Sequence, residues 1–385
     1  MRVVIATYGT YGDVQPLLAL ALELKRRGHA VKLGAPPDFE KRVARLGIDF
    51  VALGPPMDPS ELREVYGRAS STRDAVAHVL RTLPLVIRDA PGMVEELVAA
   101  CVGADVLLSL PYQVAGGIVR DLHGIPFVSV HLSPFGGYSR RFATVSARFI
   151  NELRCSYGLR ALEDPLGADG TSSTLALYAV SPEMFFRPRA WPGHHRITGF
   201  WFLDEPWQPD PRLKRFLESG PPPFVISFGS VLHDDPQAVA TKVLYALREI
   251  GARAVVQRGW SGLELSDQEP DLFQAEFIPH TWLFPRAACV VHACGAGTTA
   301  AAVRAGVSSV AVPHVLDQFL WGTLLKERGC AVDVIPFTEL TAARLAHAMR
   351  QLPASDCGAN ALRLSATIGR EAGVSVAVDA IEECF

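Results

Sequence analysis

Short, nearly continuous apolar runs alternate with longer amphipathic stretches along most of the chain. Arg2-Val3-Val4-Ile5-Ala6 reads as a strand, Thr7 to Asp13 as a glycine-rich loop, and Pro16 to Arg27 as a helix closed by Gly28. Ala30 to Gly34 is the next strand, so the chain opens with a βαβ unit. Phe50–Leu53, Val106–Leu110 and Phe127–Val130 are further strands, and Ser60–Ala100 reads as helical. Residues 134–175 show no clear period. The stiff segments Asp204–Pro211 and Pro221-Pro222-Pro223 then interrupt the pattern. The alternation resumes with strand Phe224–Phe228, helix 237–250, and strands 253–257 and 274–277. It continues with strand Ala287–Val291, the turn Gly295-Ala296-Gly297, an alanine-rich helix to Ala305 and strand Val307–Val312. Runs that are apolar throughout suit parallel strands covered on both faces. The expected fold is therefore α/β, with two doubly wound parallel sheets of Rossmann type. The expected parts are a domain over 1–203, a linker over 204–223, a second domain over 224–360 and a helical tail over 361–385. The tail is a candidate to pack back on the first domain.

Composition adds limits. The 385 residues are 49% hydrophobic and 20% charged, with a formal net charge of −3. That is a globular balance, and dispersed Lys and Arg give no electrostatic footprint for nucleic acid. No apolar run is long enough to span a bilayer, and the polar stretch Thr7–Gln15 argues against a signal peptide. Seven scattered cysteines suit reduced thiols in a cytoplasm. Cys289 and Cys294 lack a second Cys/His pair at zinc spacing, so no metal site is expected.

The chemistry concentrates at residues 292–318. A strand, a small-residue turn and a helix beginning near Thr298 present backbone N–H groups and a partial positive charge, which suit a phosphate. Asp317-Gln318 follow the next strand at the carboxyl edge, where open α/β sheets bind ligands. A carboxylate and an amide there are good partners for sugar hydroxyls. The stretch reads as a site for a phosphorylated sugar.

The pieces Gly9-Thr10-Tyr11-Gly12-Asp13-Val14-Gln15-Pro16, Gly199-Phe200-Trp201-Phe202 and Ser227-Phe228-Gly229-Ser230 extend this reading. So do Pro279-His280-Thr281-Trp282-Leu283-Phe284-Pro285, Gly295-Ala296-Gly297-Thr298-Thr299 and Asp317-Gln318. Together they resemble glycosyltransferase family 1, in its bacterial branch acting on natural products, sterols and lipids, across nearly the whole chain. The resemblance implies a GT-B fold, with two Rossmann-like domains facing across a cleft, and a metal-independent inverting transfer from a nucleoside-diphosphate sugar. No cofactor is implied beyond this co-substrate, a UDP- or dTDP-hexose or deoxyhexose.

By resemblance Asp13 is the general base that takes the acceptor hydroxyl's proton. A carboxylate this close to a helix start also suits a cap. Thr10, Gly229, Ser230, His292, Gly295, Ala296, Gly297 and Thr298 are candidates for the donor diphosphate. Phe277, Ile278, His280 and Trp282 are candidates for the nucleoside, and Asp317 and Gln318 for the sugar. Tyr112, His131, Phe135 and Phe142 are candidates for an apolar acceptor pocket, although each also suits an interior position. An apolar acceptor leaves peripheral membrane contact open, and the expected state is a monomer or homodimer.

One departure matters. The family usually carries two histidines before the glycine turn, the second contacting phosphate, where this chain has His292-Ala293. Ala293 offers no donor, and Ala293→His is expected to tighten diphosphate binding if the geometry matches. Phe319 also follows Asp317-Gln318 where proline is usual. The alternatives to a working transferase are a silent homologue that binds and activates a partner enzyme, and a sugar-nucleotide epimerase or hydrolase.

Overall fold

The computed structural model describes residues 1–67, 74–134, 140–265 and 269–385. It contains two parallel sheets. The first comprises β1 (Arg2–Ala6), β2 (Ala30–Ala35), β3 (Asp49–Ala52), β4 (Val106–Ser109), β5 (Phe127–His131), β6 (Leu175–Tyr178) and β7 (His195–Ile197). Its strand order is β3-β2-β1-β4-β5-β6-β7, with every pairing parallel. The second comprises β8 (Phe224–Ser227), β9 (Ala254–Gln257), β10 (Leu272–Ala275), β11 (Cys289–His292), β12 (Ser309–Ala311) and β13 (Ala331–Val334). Its order, β10-β9-β8-β11-β12-β13, repeats the same winding. Although β6 and β7 are joined without a helix, helices join most of the other successive strands, so the central strands of each sheet are buried on both faces. This explains why Val106–Ser109 and Cys289–His292 are buried at every position and show no alternation.

The expected strands are present with shifted ends. Strand β10 ends at Ala275, two residues before Phe277, and β11 runs on to His292. The first helix spans Tyr11–Arg26, so Pro16 lies inside it rather than in its first turn. Strands β6, β7 and β13 were not evident in the sequence. They are only three or four residues long, too short for a period to register.

The chain divides into two compact units. One comprises Met1–Asp58, Ala75–Leu203 and Glu371–Phe385; the other comprises Pro59–Asp74 and Asp204–Arg370. The first unit is thus interrupted within the expected 1–203 span, and the segment that returns to it starts at Glu371 rather than 361. In the first unit the helix Gly373–Cys384 packs on Tyr11–Arg26. Arg27 donates to Ser375 Oγ at 2.6 Å and to Glu382 Oε2 at 2.9 Å, and His29 Nε2 lies 2.8 Å from Glu382 Oε1. A side chain on Gly373 would strike the Phe200 carbonyl, so only glycine lets the returning segment lie so close. In the second unit Gly67 lies against the 233–234 turn, where an added Cβ would be 2.9 Å from Asp234 Oδ1. Among the described residues no helix is long and apolar enough to cross a membrane.

Candidate functional site

In the second sheet the winding reverses between β8 and β11, and open α/β sheets bind ligands beyond the carboxyl ends of such a pair. Both expected phosphate loops leave from there. Gly229 follows β8 with φ of +61°, a left-handed conformation that favours glycine. A Cβ on Gly229 would lie 4.0 Å from Thr298 Oγ1, so the two loops meet. Gly295 is the N-cap of helix Ala296–Ala305 and supplies no side-chain cap. A Cβ on Gly295 or Gly297 would meet nothing within 4 Å. The helix therefore begins with backbone amides beside open space, the arrangement that receives a phosphate.

His292 does not join this cradle. It is fully buried; Nδ1 accepts from the Cys294 N–H at 3.2 Å and Nε2 donates to Ser309 Oγ at 3.0 Å. Burial pushes its pKa down to about 3. Both nitrogens are spent on the protein itself, so the expected diphosphate contact is corrected to a brace beneath the turn. Ala293 points the other way, into the core with Val291, Val310 and Phe228, and is 4% exposed. Cys294 then takes φ of +61° without being glycine. Among the described residues only Leu316, at φ of +48°, shares that property, and it directly precedes Asp317. Both strained residues thus flank the expected donor loops, at roughly 1–2 kcal/mol each.

The 314–318 loop is held by its own side chains. Gln318 Oε1 accepts from the amides of His314 at 2.8 Å and Val315 at 3.2 Å. Asp317 Oδ2 accepts from the indole N–H of the fully buried Trp321 at 3.1 Å. His314 lies between Phe228 and Phe337, its ring stacked on Phe337 at 4.1 Å. Its Nε2 is 3.1 Å from His233 Nε2, which ties this loop to the one carrying Gly229 and Ser230. Burial lowers both histidine pKa values, that of His233 to about 4. The sequence offered no sign of this pair: each histidine stands alone in its own loop, 81 residues from the other.

The expected nucleoside residues part company. Phe277 is 52% exposed beyond β10, whereas Ile278 is buried and its N–H donates to Gln257 Oε1 at 3.0 Å. His280 stacks on Phe284 at 4.3 Å with Nε2 3.5 Å from Ser227 Oγ, and burial pushes its pKa down to about 4. Trp282 sits edge-on to Trp207 with the Arg286 guanidinium over its ring. The Arg286 guanidinium therefore covers one face of its ring.

In the first sheet the corresponding reversal lies between β1 and β4. Asp13 stands in the first turn of the helix after β1. Its Oδ2 accepts from the Thr10 N–H at 2.8 Å and the Thr10 hydroxyl at 3.3 Å. This carboxylate therefore braces the helix start, and Thr10 supports it. A Cβ on Gly9, whose φ is +130°, would collide with the same carboxylate. Tyr112 follows β4. His131 ends β5, 2% exposed, with its ring stacked on Tyr178 at 4.4 Å. Phe142 is 2% exposed on the helix Arg140–Ser156 and belongs to the interior, while Phe135 lies outside the described residues.

Two family descriptions match parts of the chain. Residues 3–108 match the N-terminal domain of glycosyltransferase family 28, and residues 241–372 match the C-terminal domain of erythromycin biosynthesis protein CIII-like proteins. The chain is 30% identical to O-mycaminosyltylonolide 6-deoxyallosyltransferase of Streptomyces fradiae, over 100% of its own length and 97% of that protein. It is 29% identical to a sterol 3-beta-glucosyltransferase of Arabidopsis thaliana, over 99% of its length and 67% of that protein. The crystal structure of a Streptomyces sp. SF2575 glycosyltransferase complexed with thymidine diphosphate superposes with a TM-score of 0.69 at 21% identity. That likeness covers 100% of this chain and 99% of the other. With two doubly wound sheets that share one winding and an open helix N-terminus at the switch point of the second, the chain belongs to the GT-B glycosyltransferases of family 1 and is a nucleotide-sugar-dependent transferase.

Proposed function

We propose that the protein transfers a hexose or deoxyhexose from a UDP- or dTDP-sugar to a hydroxyl of an apolar natural product or sterol, with inversion at the anomeric carbon. The observation that carries the donor half is the uncapped start of helix Ala296–Ala305, with open space beside Gly295 and Gly297 and the Gly229 loop against Thr298. Its amides and partial positive charge stabilise the departing diphosphate, so the reading asks for no metal ion. Asp317 and Gln318, at the carboxyl edge of β12, bind the sugar hydroxyls. Phe277, exposed two residues past the carboxyl end of β10, offers a face for the nucleobase.

Asp13 serves as base. Thr10 holds Oδ2, which fixes the carboxylate at the carboxyl edge of β1 while the acceptor hydroxyl attacks. Macrolide and sterol transferases among the relatives support an apolar acceptor. The deciding experiment is a calorimetric titration of UDP, dTDP and GDP, then of their glucose conjugates, without added metal. Micromolar binding of UDP or dTDP is expected; binding of none of them overturns the reading.

A further inference from the structure

Two buried polar side chains at the carboxyl edge of the first sheet lack a hydrogen-bond partner. His131 is 2% exposed and neither ring nitrogen is bonded; Ser133, two residues on and equally buried, has an unbonded hydroxyl. Their neighbours do not repair this. Tyr178, on which the His131 ring stacks, shares its hydroxyl with His195 Nδ1 at 3.1 Å. The His131 main chain is in place, its carbonyl accepting from the Ala179 N–H at 2.8 Å, and its ring packs flat on Tyr178. Burial keeps the ring neutral, with its pKa pushed down to about 3, so it offers one N–H and one lone pair. Buried donors and acceptors left unpaired are costly, and folded proteins rarely keep them without a purpose. Here they sit where a parallel sheet binds its ligand.

We infer that the acceptor itself completes this hydrogen bonding. It therefore carries a second oxygen function, a hydroxyl or carbonyl besides the hydroxyl that receives the sugar, and that group pairs with His131. The inference rests on the reading under Proposed function. The strand order β1-β4-β5 places His131 two strands from the β1 edge that carries Asp13, a separation of about 10 Å at ordinary strand spacing. An acceptor bridging the two has oxygens at opposite ends of a rigid, mostly hydrocarbon body. An ordinary sterol has one hydroxyl and would leave His131 and Ser133 facing hydrocarbon. A polyoxygenated polyketide ring satisfies them. His131 is then a specificity-determining residue, and its chemistry favours the oxygenated class of acceptor.

The test uses the full chain and a matched pair of steroids. One has a single hydroxyl on its first ring; the other has the same skeleton with a second hydroxyl at the far end. The wild type should bind and glycosylate the dihydroxy compound at least 10-fold better. His131→Phe keeps the stacking on Tyr178 and removes both nitrogens; it should abolish this preference, and His131→Gln should restore part of it. His131→Phe should also raise the melting temperature of the unliganded protein, by about 2 °C, because it removes unpaired polar atoms. A lower melting temperature would mean that the nitrogens are already satisfied, by water for instance, and would overturn the inference. Equal handling of the two steroids by the wild type, or uptake of neither, overturns it as well. Nucleotide titration on the same samples separates the failures: bound UDP or dTDP with indistinguishable steroids sinks the second-oxygen inference alone, and no bound nucleotide sinks the functional reading beneath it.

Discussion

His233 Nε2 lies 3.1 Å from His314 Nε2, and the distances around the pair show which nitrogens carry the protons. His314 Nδ1 is 2.8 Å from the Val312 carbonyl, the distance of a made hydrogen bond, so its proton sits there and its Nε2 is bare. His233 must then donate from Nε2. Its own Nδ1, 3.4 Å from the Ser261 carbonyl, is left without a hydrogen, which accounts for the longer separation. Two neutral rings thus share one hydrogen bond across the loops of Ser230 and Gln318. Replacing either histidine by Phe keeps the aromatic packing and removes that bond. Each variant should weaken nucleotide-sugar binding by about fivefold, the worth of about 1 kcal/mol, and the double variant should be no weaker than either single one. Calorimetry on the four proteins checks this; additive losses would mean that the two loops are held independently.

The same burial gives the fold a pH dependence. His233 and His280 are pushed down to about 4, and His131 and His292 to about 3, in each case mainly by desolvation, from an ordinary value of 6.5. The groups that bear on the His233–His314 pair are Arg63, Lys242, the Ser261 and Val312 carbonyls and the two rings themselves; the two cations lower the His233 value further. The unfolded rings take up protons near pH 6.5 and the folded ones refuse them until about pH 4. Stability is therefore full above pH 6.5 and is lost as pH falls through this window, by up to a few kcal/mol per ring. The melting temperature should drop steeply between pH 6.5 and 4. His314→Phe should make the slope shallower, and a flat profile would contradict the buried neutral assignment.

One substitution can separate the proposed base role of Asp13 from its brace at the helix start. Asp13→Asn keeps an oxygen to accept from the Thr10 N–H, so the helix start should survive with the melting temperature nearly unchanged. Transfer should fall by about 100- to 10,000-fold with nucleotide affinity intact, as expected for loss of a general base. Asp13→Ala removes the brace too and should cost about 1 kcal/mol of stability. Gly9→Ala should mimic the loss of activity with the carboxylate still present, because the new methyl group displaces it. Equal loss of transfer and donor binding in Asp13→Asn would remove Asp13 from the chemistry.

Position 293 behaves differently from the sequence-based expectation. Ala293 faces Val291, Val310 and Phe228 in the core, not the diphosphate loop. A histidine there overpacks the interior and buries an imidazole without a partner. Ala293→His should lower stability by about 1–3 kcal/mol and bring no gain in UDP or dTDP affinity. Tighter binding at unchanged stability would show that the new ring reaches the phosphates.

Much of this was legible in the sequence where the physics is local. Continuous apolar runs bounded by glycine gave the central strands, and the Gly295-Ala296-Gly297 turn marked a helix start able to receive a phosphate. What stayed hidden depends on partners far apart in the chain. His292 looked like a ligand because its two satisfying groups, the Cys294 amide and the Ser309 hydroxyl, become neighbours only once β11 and β12 pair. Trp282 suited a base platform until Trp207 and Arg286 closed on its ring. The short strands β6, β7 and β13 owe their pairing to the sheets they extend, and their own residues specify little.

The membership of Glu371–Phe385 in the first unit sets an order of events during synthesis. Domains ordinarily fold as they leave the ribosome, the N-terminal one first. Here the helix that Arg27 and His29 grip through Ser375 and Glu382 is translated only after the strands of both sheets. The first unit is begun before the second and cannot be finished until the second has been made, so a nascent chain stalled anywhere before Glu371 holds an unfinished first unit, with the surface of Tyr11–Arg26 still uncovered.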